Sequence, residues 1–522
     1  MMRKRAVTLS LVLLLIPAAS QGQARAQGQA PLESLNPVIQ TILGEVSEER
    51  IAATLHKLES FETRYVLSET DSPTRGIGAA RRWIHQELES YSPRLQVTDH
   101  EFHVKKMARL ARDVDLANIV AVLPGTTDPD RYILISAHYD SVNVKRKPRK
   151  PDAERIAELM EKGMLEDEAR RYVELFPAKD TTPAIDAEAT AAETEAPGVT
   201  DDGSGIAAML ELARVMSHYE FEKSLVFVAF AGEEVGLQGS KVYAKDAADT
   251  GMQIEAVLNN DIIGSTESGG TTEFAKGRID NQTLRVFSNG PEDSPGRALL
   301  RYTKLIAERY VPSMRVDMIF HRDRFGRGGD HTSFQNRGFA AVRLTTAREN
   351  YSHQHSPSDT FENTDPGFIM RVARMNAAVA ASLALAPAPP VTNYTIQSGE
   401  RKGNRSPLLS RGGGYDAVLR WVPSQVSKED AAEAGNDLAG YAVVIRKTTA
   451  PDWEREIFVG NVTRYTIPDF SIDDVVLGVK AIDKDGNQSL VSAYLEPVSR
   501  ERGDVPPGPE EEQPEQSAGS AQ

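Results

Sequence analysis

LVFVAFAGEEVGLQGS, residues 225–240, decides the fold. Residues 226–230 are apolar at every position, so an extended segment there has no polar face. Such a run belongs in the middle of a sheet covered on both sides. In open α/β sheets ligands collect beyond the carboxyl ends of the strands, and two adjacent carboxylates, Glu233 and Glu234, stand at that end. Side chains of neighbouring residues diverge, so one carboxylate is free to hold a cation while the other handles a proton.

Other strand ends carry residues of the same kind. RYILISAHYDS, 131–141, runs from an apolar core into His138 and Asp140. An imidazole there can ligate a metal while a nearby carboxylate fixes its tautomer. PGVTDDGSG, 197–205, turns into a helix carrying Ile206, Met209, Leu210, Ala213 and Met216, with Asp201 and Asp202 exposed to a cation at the turn. Two anions and no Gly-Lys-Ser/Thr rule out a phosphate loop. Residues 254–258 form a strand ending in NNDIIG, which contains Asp261, and the strand 339–344 is followed by NYSHQHSPSDT, 350–360, with His353 and His355. A part-extended stretch at 95–103, a short apolar strand at 117–123 and helical periodicity at 35–91, 240–248, 298–311 and 368–385 complete an α/β pattern, and 181–195 reads as an Ala/Thr/Glu-rich linker. Gly203-Ser204-Gly205 lacks the Gly-x-Ser-x-Gly frame of a serine hydrolase.

These pieces resemble peptidase family M28 of clan MH, the zinc-dependent aminopeptidases. AHYDS at 137–141, PGVTDDGSG at 197–205, AGEEVGLQGS at 231–240, NNDIIG at 259–264, GDHTSF at 329–334 and HSPSDT at 355–360 occur in the family's order over roughly 110–385. The resemblance implies a mixed, mostly parallel central sheet with helices on both faces. It further implies two zinc ions per chain, one bound by His138, Asp201 and Asp261, the other by Asp201, Glu234 and His355. Glu233 is then the general base, and Asp140 supports His138. The substrate expected is a peptide or protein with a free N-terminus. Asp202 stands beside Asp201, and His353 two residues from His355; the family pattern selects Asp201 and His355. Alternatives of the same fold are a single-zinc glutaminyl cyclase or a carboxypeptidase, and of another class a noncatalytic binding protein.

The remainder of the chain sets the surroundings. Arg3, Lys4 and Arg5 precede an apolar run to Ala19, and Ala24-Arg25-Ala26 suits a signal peptidase, so residues 1–26 read as a signal peptide and the destination as periplasmic or secreted. Its removal takes away four basic residues and no acid, moving the net charge from −15 to −19. That balance excludes nucleic acid and anionic membrane as partners, and no second apolar stretch suggests membrane insertion. With no cysteine, stability rests on packing and metal instead of disulfides. Expected domains are an N-terminal helical segment, 27–110, packing on a peptidase domain, 111–385, that carries an insertion at 144–196, read as a surface excursion or lid. A Pro-rich linker, 386–399, leads to an all-β sandwich, 400–498, with Trp421 in its core; VLGVKAIDKDGNQSLVS, 476–492, resembles the late strands of a fibronectin type III domain. Residues 499–522 are a disordered acidic tail by composition, and Arg327 reads as an ordinary surface arginine.

Overall fold

The apolar runs become strands of one sheet in the computed structural model, which describes residues 35–178, 183–269, 277–321, 328–397, 405–423 and 437–495. The strands are β1 (Gln96–Val104), β2 (Val114–Leu123), β3 (Asp128–His138), β4 (Lys223–Phe230), β5 (Gln253–Asn260), β6 (Thr283–Phe287), β7 (Arg315–Ile319) and β8 (Ala341–Thr346). Their spatial order is β1-β2-β4-β3-β5-β8-β6-β7. Strands β4, β3, β5 and β8 are parallel neighbours, while β1–β2, β2–β4 and β6–β8 are antiparallel. The sheet is therefore mixed, with a parallel centre.

Every residue of β4 is buried, as a strand apolar on both faces requires. Leu225, Phe227 and Ala229 point into the larger core, shared with helices Pro37–Glu45, Glu48–Glu59, Gly76–Tyr91, Ser204–Met216, Pro295–Tyr310 and Pro366–Leu385. Val226, Val228 and Phe230 point the other way, onto Ala244 and Ala247 of helix Gln238–Thr250 and Phe334 of the short helix His331–Gln335. Helix starts are set locally. Asn36, Ser294 and Asp365 each accept a backbone N–H of the first turn, and a proline follows each in that turn. Pro366–Leu385 is apolar and long enough to cross a membrane, but here it is a core helix, mostly buried.

Three expectations change. The extended stretch near 95–103 is β1, which pairs with β2 along its full length, so a hairpin spans the expected boundary at residue 110 and the N-terminal helices share the peptidase core. Strands β6 and β7 did not stand out in the sequence; each is only five residues long and β7 is half polar. The stretch 181–195, read as linker, contains the helix Ala187–Ala191. The described part of the insertion also contains a hairpin of helices Asp152–Glu161 and Glu166–Leu175, broken at Gly163 in the left-handed region (φ 92°). Its stem closes through Lys147 N–H to the Ala184 carbonyl and Asp186 N–H to the Lys145 carbonyl, both 2.9 Å.

Beyond residue 390, the strands Leu409–Arg411, Ala417–Arg420 and Arg464–Ile467 form one antiparallel sheet. Arg455–Gly460, Leu438–Lys447, Val475–Asp483 and Ser492–Ala493 form another. Between them lie Trp421 and Tyr441, edge to face at 5.4 Å. This unit docks on the peptidase body through Arg446, which is almost fully buried and donates to both Asp293 carboxylate oxygens (2.7 and 2.8 Å) and to Glu292 (2.8 Å). The leader 1–26, the tail 499–522 and Arg327 lie outside the described residues.

Candidate metal centre

Because β3, β4, β5 and β8 are parallel, their carboxyl ends open on one edge of the sheet, where such folds place ligands. His138 is the last residue of β3 and Asp261 the first after β5; Glu233 and Glu234 follow β4 by one turn. His355 comes from the loop after β8, and Asp201 from the turn entering helix Ser204–Met216. His138 Nε2 lies 3.3 Å from Asp201 Oδ1 and 4.0 Å from Asp261 Oδ1. His355 Nε2 lies 3.0 Å from Asp201 Oδ2 and 3.2 Å from Glu234 Oε2. Two donor groups result, His138–Asp201–Asp261 and Asp201–Glu234–His355, and within each the ligand atoms are all within 4.8 Å of one another. Asp201 belongs to both.

Imidazole nitrogen and carboxylate oxygen are the donors zinc takes. The donor atoms also behave as ligands should: His138 Nε2 and Glu234 Oε1 are buried without a hydrogen-bond partner among the described residues. Leaving such atoms unpaired costs free energy unless a cation meets them. The residues present fit zinc.

Three further carboxylates hold this arrangement. Asp140 is fully buried, and its backbone carbonyl meets His138 Nδ1 at 3.1 Å, whereas its carboxylate stands 3.7 Å from that nitrogen. The carboxylate instead accepts the backbone N–H groups of Gly232 (2.9 Å), Glu233 (3.2 Å) and Glu234 (3.2 Å). It thus shapes the turn that presents the glutamate pair. Asp202 accepts backbone N–H groups from His138, Gly205 and Ile262 at 3.0 to 3.2 Å and lies in neither donor group. A side chain at Gly205 would strike that carboxylate, with a Cβ 2.4 Å from Oδ2, so the close approach requires glycine. Asp359 accepts N–H bonds from Thr200 (2.9 Å) and Asp201 (3.0 Å), tying the His355 loop to the Asp201 turn. His355 itself sits at φ 57°, a strained position for a residue with a side chain. His353 faces Ser358 Oγ at 3.0 Å, in neither donor group.

Two buried arginines went unnoticed in the sequence. Arg64 donates from Nε to the Tyr139 carbonyl (2.7 Å) and from its other nitrogens to the carbonyls of Gly198 (2.8 Å), Leu58 (3.4 Å) and Pro197. Arg343, on β8, sets Nη2 and Nε each 3.1 Å from the two Asp261 oxygens. No local pattern marks either; apart from Leu58, their partners lie 75 to 134 residues away along the chain.

Charge in the site is unevenly shared. Burial, followed by the negative charges of Asp261 and Glu234, raises the Glu233 carboxyl well above the ordinary range. Burial also raises Glu234 and Asp202. For Asp201 the burial effect is outweighed by the neighbouring imidazoles of His138 and His355, which hold it well below the ordinary range. Glu234 charge holds His355 protonated well above its usual range. His138 is raised too, burial being outweighed by Asp140 and Asp201. Burial lowers Arg64 to about 10 and pushes Asp359 up to about 6. A cavity of about 950 Å³ opens over the site, lined by Asp201, Glu233, Glu234, Asp261 and His355.

The sequence profile of Peptidase family M28 matches residues 118–380, which contain the parallel centre of the sheet and both donor groups. The chain belongs to peptidase family M28. A probable zinc metalloprotease of Pyricularia oryzae is 34% identical, the match covering 86% of this chain and 83% of that one. One of Phaeosphaeria nodorum is 32% identical over 91% and 90%. Among solved structures, LapB from Legionella pneumophila is 19% identical, covering 67% of this chain and 75% of its own, with a TM-score of 0.46. Membership of this zinc metallopeptidase family agrees with the donor chemistry. In this M28 chain the structure brings together the five expected ligands and sets Glu233 on the cavity beside them.

Proposed function

We propose that this M28 metallopeptidase is an exported aminopeptidase with two zinc ions, held by His138, Asp201 and Asp261 and by Asp201, Glu234 and His355. The observation that carries the reading is the sharing of Asp201 by two complete donor groups, since a common carboxylate offsets the repulsion between neighbouring dications. Zinc bound there supplies Lewis-acid polarisation of a carbonyl and a lowered pKa for water. Glu233 is the general base. Its carboxylate lines the cavity, partly open to it, and its neighbour Glu234 faces His355. Nearby cations pull its raised pKa back toward the range in which a base works at neutral pH. It takes the proton of the attacking water and returns one to the departing amine. Asp140 positions it by holding its backbone N–H.

A free α-amino group would be received on the cavity floor by a cation held by Asp201, Glu234 and His355, with Glu233 beside it, which supports action at an N-terminus. The substrate is then a peptide or protein with an unblocked first residue, with neither nucleic acid nor membrane as partner. The basic-then-apolar segment 1–26 supports export, and the C-terminal sandwich supports a fibronectin type III-like appendage. Zinc-loaded mature protein is offered aminoacyl p-nitroanilides, free and N-acetylated. Hydrolysis of the free series alone is expected, and a preference for the acetylated series contradicts the aminopeptidase reading. Cyclisation of N-terminal Gln peptides without hydrolysis of any other would replace it with a cyclase.

A further inference from the structure

The chain is strongly acidic, with net charge −15, and the floor of its cleft holds four carboxylates, yet the cleft mouth is basic. Arg109, from the connection between β1 and β2, Arg146, from the stem of the insertion, and Lys241, from helix Gln238–Thr250, line the cavity that contains Asp201, Glu233 and Glu234. A second cavity of about 500 Å³ shares Arg109, Arg146, Glu234 and His355 with it and adds Lys147. None of these four cations meets a carboxylate among the described residues; Arg146 donates to the Pro183 carbonyl, at 3.0 Å. Other arginines are neutralised by acids, as Arg75 is by Glu62 and Glu69, Arg155 by Asp152 and Arg170 by Glu166, while a few, such as Arg82 and Arg371, meet carbonyls instead, but those do not converge on a cleft. Unneutralised charge of one sign in a cleft focuses its field on whatever enters.

We infer that the mouth of this cleft selects peptides carrying a carboxylate on the leaving side of the scissile bond, either the C-terminus of a short peptide or an acidic side chain. The inference rests on the aminopeptidase reading for its direction. With the α-amino group held on the floor by the donor groups and Glu233, only the leaving portion of the substrate extends to Arg109, Arg146, Lys147 and Lys241. The insertion 144–196 is then a specificity element, since its stem supplies two of the four cations.

The test is a ratio of kcat/KM values measured on zinc-loaded protein, with the first residue X chosen as the one cleaved fastest as a p-nitroanilide. One arm compares X-Ala with X-Ala amide, reading the C-terminal carboxylate. The other compares X-Glu amide with X-Gln amide, reading an acidic side chain. At low ionic strength the charged member is expected to be favoured about 10-fold in at least one arm, the ratio falling toward one in molar salt. In the triple variant R109E/R146E/K241E the ratio falls to one or below. Ratios near one in both arms for the wild type, or a ratio that the triple variant leaves unchanged, overturn the inference. Should no aminoacyl substrate be cleaved, the aminopeptidase reading fails by itself, and calorimetric binding of Ala-Ala and Ala-Ala amide to the metal-free protein decides the mouth. Tighter binding of the free acid supports it, and equal binding overturns it.

Discussion

Asp140→Asn separates two roles for one carboxylate. Asp140 Oδ1 accepts from Gly232 and Glu233 and Oδ2 accepts from Glu234, all backbone N–H groups of the turn bearing the glutamates. An asparagine whose amide oxygen replaces Oδ1 keeps two of these bonds. Its NH₂ then faces the Glu234 N–H, donor against donor, in a site with no water access. One charge-assisted bond is lost and the other two lose their charge, at a cost of about 2–3 kcal/mol. A shift of the turn also moves Glu233, and misplacement on the order of 1 Å costs about 10²-fold in rate. Because the carboxylate stands 3.7 Å from His138 Nδ1, which has the Asp140 carbonyl instead, zinc content should be retained. The assays are urea unfolding of the zinc-loaded protein, kcat on an aminoacyl p-nitroanilide, and metal analysis. A stability change below about 0.5 kcal/mol with near-normal kcat, or loss of zinc with the turn intact, would refute the turn-holding role.

Glu233→Gln should keep both metals and lower kcat by about 10²–10⁴-fold, the usual worth of a general base; near-normal turnover removes Glu233 from the mechanism. In metal-free protein His138 and His355 have pKa values raised well above 6.5, so both are protonated at neutral pH, and zinc must displace those protons. Zinc added to weakly buffered metal-free protein at pH 7 should therefore release about two protons, and zinc affinity should fall as pH is lowered; uptake without release contradicts this. By the same linkage the imidazole–carboxylate contacts stabilise metal-free protein fully below pH 6.5 and less as pH rises through the raised values. Urea midpoints of metal-free protein across that range provide the check. Arg64→Met orphans buried carbonyls of Leu58, Tyr139, Pro197 and Gly198, so a loss of at least about 3 kcal/mol is expected in urea unfolding. Arg446→Met leaves Asp293 buried without its main partner. A loss of about 3 kcal/mol should appear calorimetrically as the C-terminal sheets melting before the peptidase body.

How much of this was legible depended on whether the signal was local. The strand 226–230 announces a doubly covered sheet by its own composition, and acids and imidazoles at several strand ends announce a site there. Periodicity also located the long helices to within a few residues. The short strands β6 and β7 escaped because TLRVF and RVDMI carry too few apolar positions to stand out. The boundary at 110 failed because hairpin pairing of β1 with β2 depends on register, which composition does not encode. Asp201 and Asp202 are chemically identical in sequence; only the surrounding backbone N–H groups decide that Asp202 is consumed by His138, Gly205 and Ile262. Arg64 and Arg343 were invisible for the same reason, since a guanidinium holding distant carbonyls or a distant carboxylate leaves no periodic trace. The cationic mouth was equally hidden, as Arg109, Arg146 and Lys241 converge from three separate parts of the chain.

The central claim is that one carboxylate serves two cations. Calorimetric titration of metal-free protein with zinc, for wild type and Asp201→Asn, tests it directly. Two equivalents are expected for the wild type and severe weakening at both sites in the variant. A wild type that saturates at one equivalent, or a variant that loses one site and keeps the other intact, would contradict it.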